Sequence, residues 1–197
     1  MQMTSLPLRR FAVVIALGGL LASLAPLTSA AQEASQAAAW SALKGGAVVL
    51  FRHANAPGVG DPAGFKIGDC STQRNLDADG QAQALRIGRT FEREGVLVGM
   101  VWSSAWCRAK ETAELAFPGR LRVEPAFNSF FAAAGLEPTQ TATARELLLN
   151  WRGPGALVVV THQVNITALT GADPSSGEGL VLSVADGQLV EVGRIAP

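Results

Sequence analysis

Two short runs of this sequence do most to limit how the chain can fold. Ala47-Val48-Val49-Leu50-Phe51 follows Gly45-Gly46 and ends at Arg52-His53, and Ala156 to Thr161 (ALVVVT) follows Gly153-Pro154-Gly155 and ends at His162. Each run is continuously apolar, rich in β-branched side chains and opened by chain breakers. A half-exposed strand alternates polar and apolar residues. A strand with no polar face is covered on both sides, as in a parallel sheet held between helices. The same two runs carry, at their ends, both histidines of the chain.

Helical and extended patterns alternate around these runs. Gln32 to Leu43 is Ala-rich and predicts a helix leading into the domain, and residues 54–72, rich in Gly, Pro and Asp, predict a long loop. Asp77 is a good N-cap for a helix that places Ala84, Leu85, Gly88 and Phe91 on one face and stops at Gly95. Val96 to Trp102 is a further short strand, ending in Ser103-Ser104. A helix from about Cys107 to Phe117 follows, closed by Pro118-Gly119, and Leu121 to Val123 is a short strand. Helices are expected over Thr141 to Trp151 and Val164 to Thr170. Leu180 to Ile195 alternates in period two around Asp186-Gly187, which predicts a hairpin. With no repeat and no long linker, the pattern specifies one α/β domain: a three-layer α/β/α sandwich with a mainly parallel central sheet and a C-terminal β-hairpin.

The first thirty residues read as a targeting segment, leaving 31–197 as the domain. Arg9 and Arg10 precede an uncharged apolar stretch from Phe11 to Leu27, and Thr28-Ser29-Ala30-Ala31 offers small residues suited to cleavage. An uncleaved anchor is the alternative, but the span is short for a bilayer and holds Gly18, Gly19 and Pro26. The expectation is therefore a periplasmic or secreted protein with no stable membrane insertion after cleavage. Removing two arginines from 16 basic side chains leaves 14 against 16 acidic ones, a net charge of −2. With no basic run, nothing points to nucleic acid. No pattern sets an oligomeric state. In an oxidising compartment Cys70 and Cys107 could form a disulfide across 37 residues, worth roughly 4 kcal/mol by loop closure. Two independent thiols are the alternative, and the bridge is preferred because both segments should meet at one sheet edge.

Ligands of open parallel sheets bind beyond the carboxyl ends of the strands. Three strands here end in polar residues: Arg52-His53, Ser103-Ser104 leading to Arg108, and His162. Two guanidinium groups suit phosphate oxygens, a neutral imidazole is a competent nucleophile, and a second imidazole can donate a hydrogen bond. Arg108 also falls in the first turn of a predicted helix, where the dipole favours an anion. Such a group can transfer a phosphoryl unit without a metal or other cofactor. Two histidines and two cysteines lack any close ligand spacing, so no metal site is expected.

The motifs carry a family resemblance. Phe51-Arg52-His53-Ala54 resembles the Arg-His-Gly motif of the histidine phosphatase superfamily, which includes phosphoglycerate mutases, with Ala54 in place of Gly. Arg74 to Ala84 (RNLDADGQAQA) resembles its Arg-x-Leu-Thr-x-x-Gly-x-x-Gln-Ala segment. Ser103 to Ala113 (SSAWCRAKETA) resembles Ser-Ser-x-x-x-Arg-x-x-x-Thr-Ala, and Thr161-His162 matches the second histidine. Four motifs in order span most of the domain. The resemblance implies a phosphatase in which His53 becomes a phosphohistidine while Arg52, Arg108 and His162 bind the phosphoryl group. Arg74 would line the entrance or serve as a structural ion-pair partner. Small exported relatives, the lipopolysaccharide-core heptose phosphatases, suggest a phosphorylated small molecule or envelope glycan as substrate.

The departures concern the acid that protonates the leaving oxygen. One branch of the family has a Glu where this chain has Asn128, and another has an Asp where it has Gln163. Neither amide is a proton donor of that kind. Three explanations are open: a loop carboxyl, Asp61 or Asp69, supplies the proton; the substrate has a good leaving group; or the protein binds phosphorylated ligands and turns them over poorly. The first is preferred, with Asp69 brought towards Arg108 by a Cys70–Cys107 bridge and counted among the substrate-binding residues. Trp102 and Trp106 could wall the pocket or pack beneath the sheet edge. Phe127, Phe130 and Phe131 could cover the site or be core. Ser103 and Ser104 lack the elbow of a serine nucleophile.

Overall fold

The computed structural model describes residues 27–196 and, apart from them, Gln2. The expected leader at 1–30 thus falls almost wholly outside the described residues; only its last four residues enter, as the start of a helix.

The helices are α1 (Leu27–Lys44), α2 (Ala78–Glu94), α3 (Cys107–Ala116), α4 (Glu137–Leu149) and α5 (Gln163–Thr170). The strands are β1 (Val48–Arg52), β2 (Val98–Ser103), β3 (Leu121–Val123), β4 (Ala156–Thr161), β5 (Gly179–Ala185) and β6 (Gln188–Ile195). They form one sheet in the order β3-β2-β4-β1-β5-β6. The four strands from β3 to β1 are parallel, whereas β5 runs antiparallel to β1 and pairs with β6 as the hairpin. The two apolar runs are thus the central pair, in register from Val48 opposite Leu157 to Arg52 opposite Thr161.

The alternation of Cβ direction along a strand sorts their side chains into two cores. Val49, Phe51, Val158 and Val160 pack with Trp40, Leu43, Ile87, Phe91 and Ala113 from α1, α2 and α3. Val48, Leu50, Leu157 and Val159 pack with Leu148, Ile166 and Leu169 from α4 and α5. This is the expected three-layer arrangement. On the first face Phe91 sits within 5.2 Å of both Trp40 and Phe117, centroid to centroid, and 6.0 Å from Phe51.

Local chemistry accounts for the element ends. Asp77 caps α2 by accepting from Gly80 N at 2.7 Å, and Gly95 ends it in the left-handed region. Gly88 lets α3 approach, since a Cβ there would lie 2.3 Å from the Ala116 carbonyl oxygen. Asp186 and Gly187, at φ 51° and 72°, make the hairpin turn. Two expectations needed revision. Leu85 is 41% exposed, while Ile87 joins Ala84, Gly88 and Phe91 in the buried face of α2, because Leu85 lies about 100° round the helix from Ala84. Helix α4 begins at Glu137, four residues before Thr141, with Pro138 in its first turn. Among the described residues, no helix is long and apolar enough to cross a membrane.

Candidate active site

The register of β1 and β4 brings the two histidines together. His53 N donates to Thr161 O at 2.9 Å, and the rings of His53 and His162 lie 5.4 Å apart. Both are buried. Beside them β2 ends at Ser103, and the next residue, Ser104, is tied to β4 by a bond from its N–H to Val160 O at 3.0 Å. All three strand ends open into a cavity of about 250 Å³, lined among others by Arg52, His53, Arg74, Arg108 and His162.

The ring of His53 is fixed in one tautomer. Its Nδ1 lies 2.7 Å from the Ala54 carbonyl oxygen, which can only accept, so Nδ1 carries the proton. Its Nε2 receives the Nε–H of Arg108 at 3.2 Å, so Nε2 presents its lone pair. Burial, with the charges of Arg108, Arg74 and Arg52, lowers the pKa of His53 to about 3 against the opposing Ala54 carbonyl. The group is therefore neutral, with its free electron pair at the one nitrogen that faces a guanidinium. His162 is held well below its usual value by burial first, then by His53 and the arginines. Its Nε2 lies 2.7 Å from Ser104 Oγ, which also accepts from Trp106 N at 3.2 Å.

The motif residues without chemistry of their own support this arrangement. Thr112 Oγ1 accepts from Ala54 N at 3.0 Å and donates to Arg108 O at 2.7 Å, locking the residue after His53 to the first turn of α3. Gln83 Oε1 accepts from Asn55 N at 3.0 Å, and Asp77 accepts from Asn55 Nδ2 at 2.9 Å. Gly80 is required because a Cβ there would lie 2.0 Å from Asn55 O. A disulfide joins Cys70 to Cys107, the first residue of α3, and Cys107 N donates to Gln73 Oε1 at 2.9 Å. The preferred pairing of the two cysteines is thus formed, and it anchors the long loop beside Arg108.

The arginines differ in how far they are committed. Arg74 donates through Nε to Gly60 O at 2.7 Å and through Nη1 to Ala56 O, stapling the loop at the cavity wall. Burial and the nearby Arg108 lower its pKa, Asp61 opposing. Arg52 donates through Nη1 to Pro174 O at 3.0 Å, and its buried Nε has no hydrogen-bond partner among the described residues. An unpartnered guanidinium donor two strand-ends from Arg108 is suited to an oxyanion.

Asp61 is the carboxylate the structure brings to the site. It receives Arg108 Nη1 at 2.7 Å and Nη2 at 3.2 Å, Trp106 Nε1 at 2.9 Å and Arg74 N at 3.1 Å. Burial would raise its pKa, but the hydrogen bonds from Arg108 and Arg74 N–H, the Arg108 charge and the Trp106 indole outweigh it and leave it lowered. Asp61 is thus placed as the anionic partner of Arg108 and is poorly suited to donate a proton. Asp69 is exposed, does not line the cavity, and spends its carboxylate on Ser71 N and Oγ at 3.2 and 2.7 Å, capping the turn Cys70–Thr72. The bridge holds Cys70 near Arg108 without bringing Asp69 in.

The residues at the two expected acid positions differ as well. Asn128 accepts from Ala105 N at 2.8 Å through its side chain and lies outside the cavity wall. Gln163 lines the cavity, and its Nε2 donates to Asp173. Of the aromatic residues, Trp106 is wall, and Trp102 packs against Phe127 and Trp151 away from the site. Phe127 and Phe130 are buried, whereas Phe131 lines the mouth and is 58% exposed. Sequence reasoning missed the support of His162 by Ser104, although Ser103-Ser104 stood at a strand end. Among the described residues, no cluster of three or more His, Cys, Asp or Glu could hold a metal ion.

No protein-family model matches the chain, and no curated protein matches it. Solved structures do. Phosphoglycerate mutase from Thermus thermophilus is 18% identical, over 76% of this chain and 98% of its own, with a TM-score of 0.52. A mycobacterial glucosyl-3-phosphoglycerate phosphatase solved with VO3 is 16% identical, over 73% and 96%, with a TM-score of 0.53. The protein histidine phosphatase SixA, complexed with tungstate, is 15% identical, over 76% and 96%, with a TM-score of 0.50. The chain therefore has the α/β fold shared by phosphoglycerate mutase and the histidine phosphatases.

Proposed function

We propose that the protein hydrolyses phosphomonoesters through a phosphohistidine at His53. The observation that carries this reading is the state of His53: neutral, fixed with its proton on Nδ1, and offering Nε2 to the Nε–H of Arg108. Nε2 attacks phosphorus as the ester P–O bond breaks, and the departing oxygen takes a proton from solvent. Water then attacks the phosphohistidine, the N–P bond breaks, and inorganic phosphate leaves. Arg108 and Arg52 neutralise the equatorial oxygens and His162 contributes a further contact. That two structures of this fold were solved with vanadium and tungsten oxoanions is in keeping with an oxyanion cradle.

The disulfide supports a setting outside the reducing cytoplasm. With the leader-like residues 1–30, it makes an exported protein, periplasmic or secreted, the reading we adopt. By likeness in size and leader, the exported heptose phosphatases offer a phosphorylated envelope sugar as one substrate class. A second reading, a phospholigand-binding protein with little turnover, is favoured by one observation: the carboxylate at the site, Asp61, is engaged by four donors and poorly suited to act as an acid. Hydrolysis of p-nitrophenyl phosphate with EDTA present separates the two. Turnover that His53→Ala abolishes supports the enzyme; phosphate binding without turnover supports the binding protein.

A further inference from the structure

A line of rings runs from the mouth of the cavity to its floor. Phe65 lies 5.8 Å from Trp106, Trp106 5.4 Å from His162, and His162 5.4 Å from His53. Apolar side chains from two other segments line the same cavity. Phe131 is 58% and Val59 87% exposed, and the Phe131 ring comes within 3.6 Å of where a Cβ on Gly60 would stand. Large apolar side chains gathered at a cavity mouth, rather than scattered singly, mark a surface that receives a ligand.

The polar side chains of this outer wall are few. Beyond the three arginines, the two histidines and Asp61, which is taken up by its four donors, they are Ser129 and Gln163, and the Gln163 Nε2 already donates to Asp173. A sugar carries several hydroxyls that each need a partner on leaving water, and an unpaired one is penalised. An alkyl chain or aromatic ring needs none and gains from the contact.

We infer that the substrate is an amphiphilic phosphomonoester: its phosphate rests on Arg52 and Arg108, and its apolar body lies between the Phe65–Trp106 wall and the Phe131–Val59 rim. The phosphate end rests on the function proposed above. The apolar end rests on the Phe65–Trp106 wall and the Phe131–Val59 rim.

Binding of alkylphosphonates by calorimetry tests the two ends separately, because these ligands cannot be hydrolysed. The series runs from methyl- to octylphosphonate below micellar concentrations, with the non-hydrolysable phosphonate analogue of glucose 6-phosphate as the sugar phosphate for comparison. Affinity is expected to rise about fourfold per methylene until the mouth is filled, and hexylphosphonate to bind more tightly than the sugar phosphate. Phe131→Ser should flatten the rise. Leu97→Ser, at another exposed apolar position outside the cavity, should leave it as it is. A flat series with methylphosphonate still bound, or a tighter sugar phosphate, overturns the amphiphile and spares the cradle. No binding of any phosphonate overturns the cradle, and this inference with it.

Discussion

Asp61 grips the terminal fork of Arg108, at 2.7 Å to Nη1 and 3.2 Å to Nη2, while the Nε–H of the same guanidinium points to Nε2 of His53 at 3.2 Å. One arginine is thereby held from its tip and presented along its side to the His53 ring. Both side chains are buried, at 4% and 8% exposure. Removing one partner of a buried pair leaves the other charge uncompensated.

Asp61→Ala should therefore lower the unfolding free energy by about 3 kcal/mol and slow turnover by letting Arg108 swing away from His53. The pH dependence follows from the direction of its shift. A carboxyl whose folded pKa is lowered contributes stability above its unfolded value, about 3.9, and loses it as pH falls through the folded value. Urea unfolding of wild type and variant should differ most above about pH 4 and converge in stronger acid. An equal difference at all pH values would mean that the lost contribution is packing rather than the ion pair.

Burial of His53 and His162 in neutral form predicts a second acid-sensitive range. Both folded pKa values lie below the ordinary one, so the unfolded chain takes up protons that the folded chain refuses. Stability is full above about pH 6.5 and falls as pH drops towards the folded values, by up to about 2.7 kcal/mol per pH unit while both titrate. His53→Gln should roughly halve that slope between pH 6 and pH 4. An unchanged slope would show that His53 is not buried as a neutral ring.

The central strands, the order of the layers and the cavity residues Arg52, His53, Arg108 and His162 were legible in the sequence because they are local, whereas Arg74 was read only through the motif that carries the family resemblance. A run such as ALVVVT is apolar throughout and states its own burial, and a motif residue at a strand end states its own position. Asp61 and Asp69 were not separable in that way. Both sit in a Gly- and Pro-rich loop with no periodicity, and which one reaches Arg108 depends on contacts 47 residues apart in the chain. The loop's path is set by Arg74 and by the disulfide, which tie it down at separate points. Likewise Phe130 and Phe131 differ by one position, and only the turn they occupy buries one and exposes the other.

The Cys70–Cys107 bridge closes the loop that carries Gln73 and Arg74 against α3. Reduction, or a double change to Ser, should cost roughly 4 kcal/mol of stability, read by urea unfolding with and without dithiothreitol. If the reduced protein is equally stable, the loop is held by its hydrogen bonds alone.

Among the described residues that line the cavity, the one carboxylate, Asp61, is held as an anion, and the two expected acid positions, Asn128 and Gln163, are amides. Rates should therefore depend steeply on the leaving group. Aryl phosphates are expected to react at least about a hundredfold faster than alkyl phosphates of similar bulk, the lower end of what a general acid supplies. A shallow dependence would reveal an acid, and Asp61→Asn would show whether it is Asp61.

The covalent intermediate tests the role of His53 most directly. Rapid mixing of the protein with 32P-labelled p-nitrophenyl phosphate, quenching in alkali and peptide mapping should recover a base-stable, acid-labile phosphoryl group on His53. His53→Ala should give none and turn over no substrate. Label on another residue, or turnover in His53→Ala equal to that of the wild type, would contradict the nucleophile assigned here.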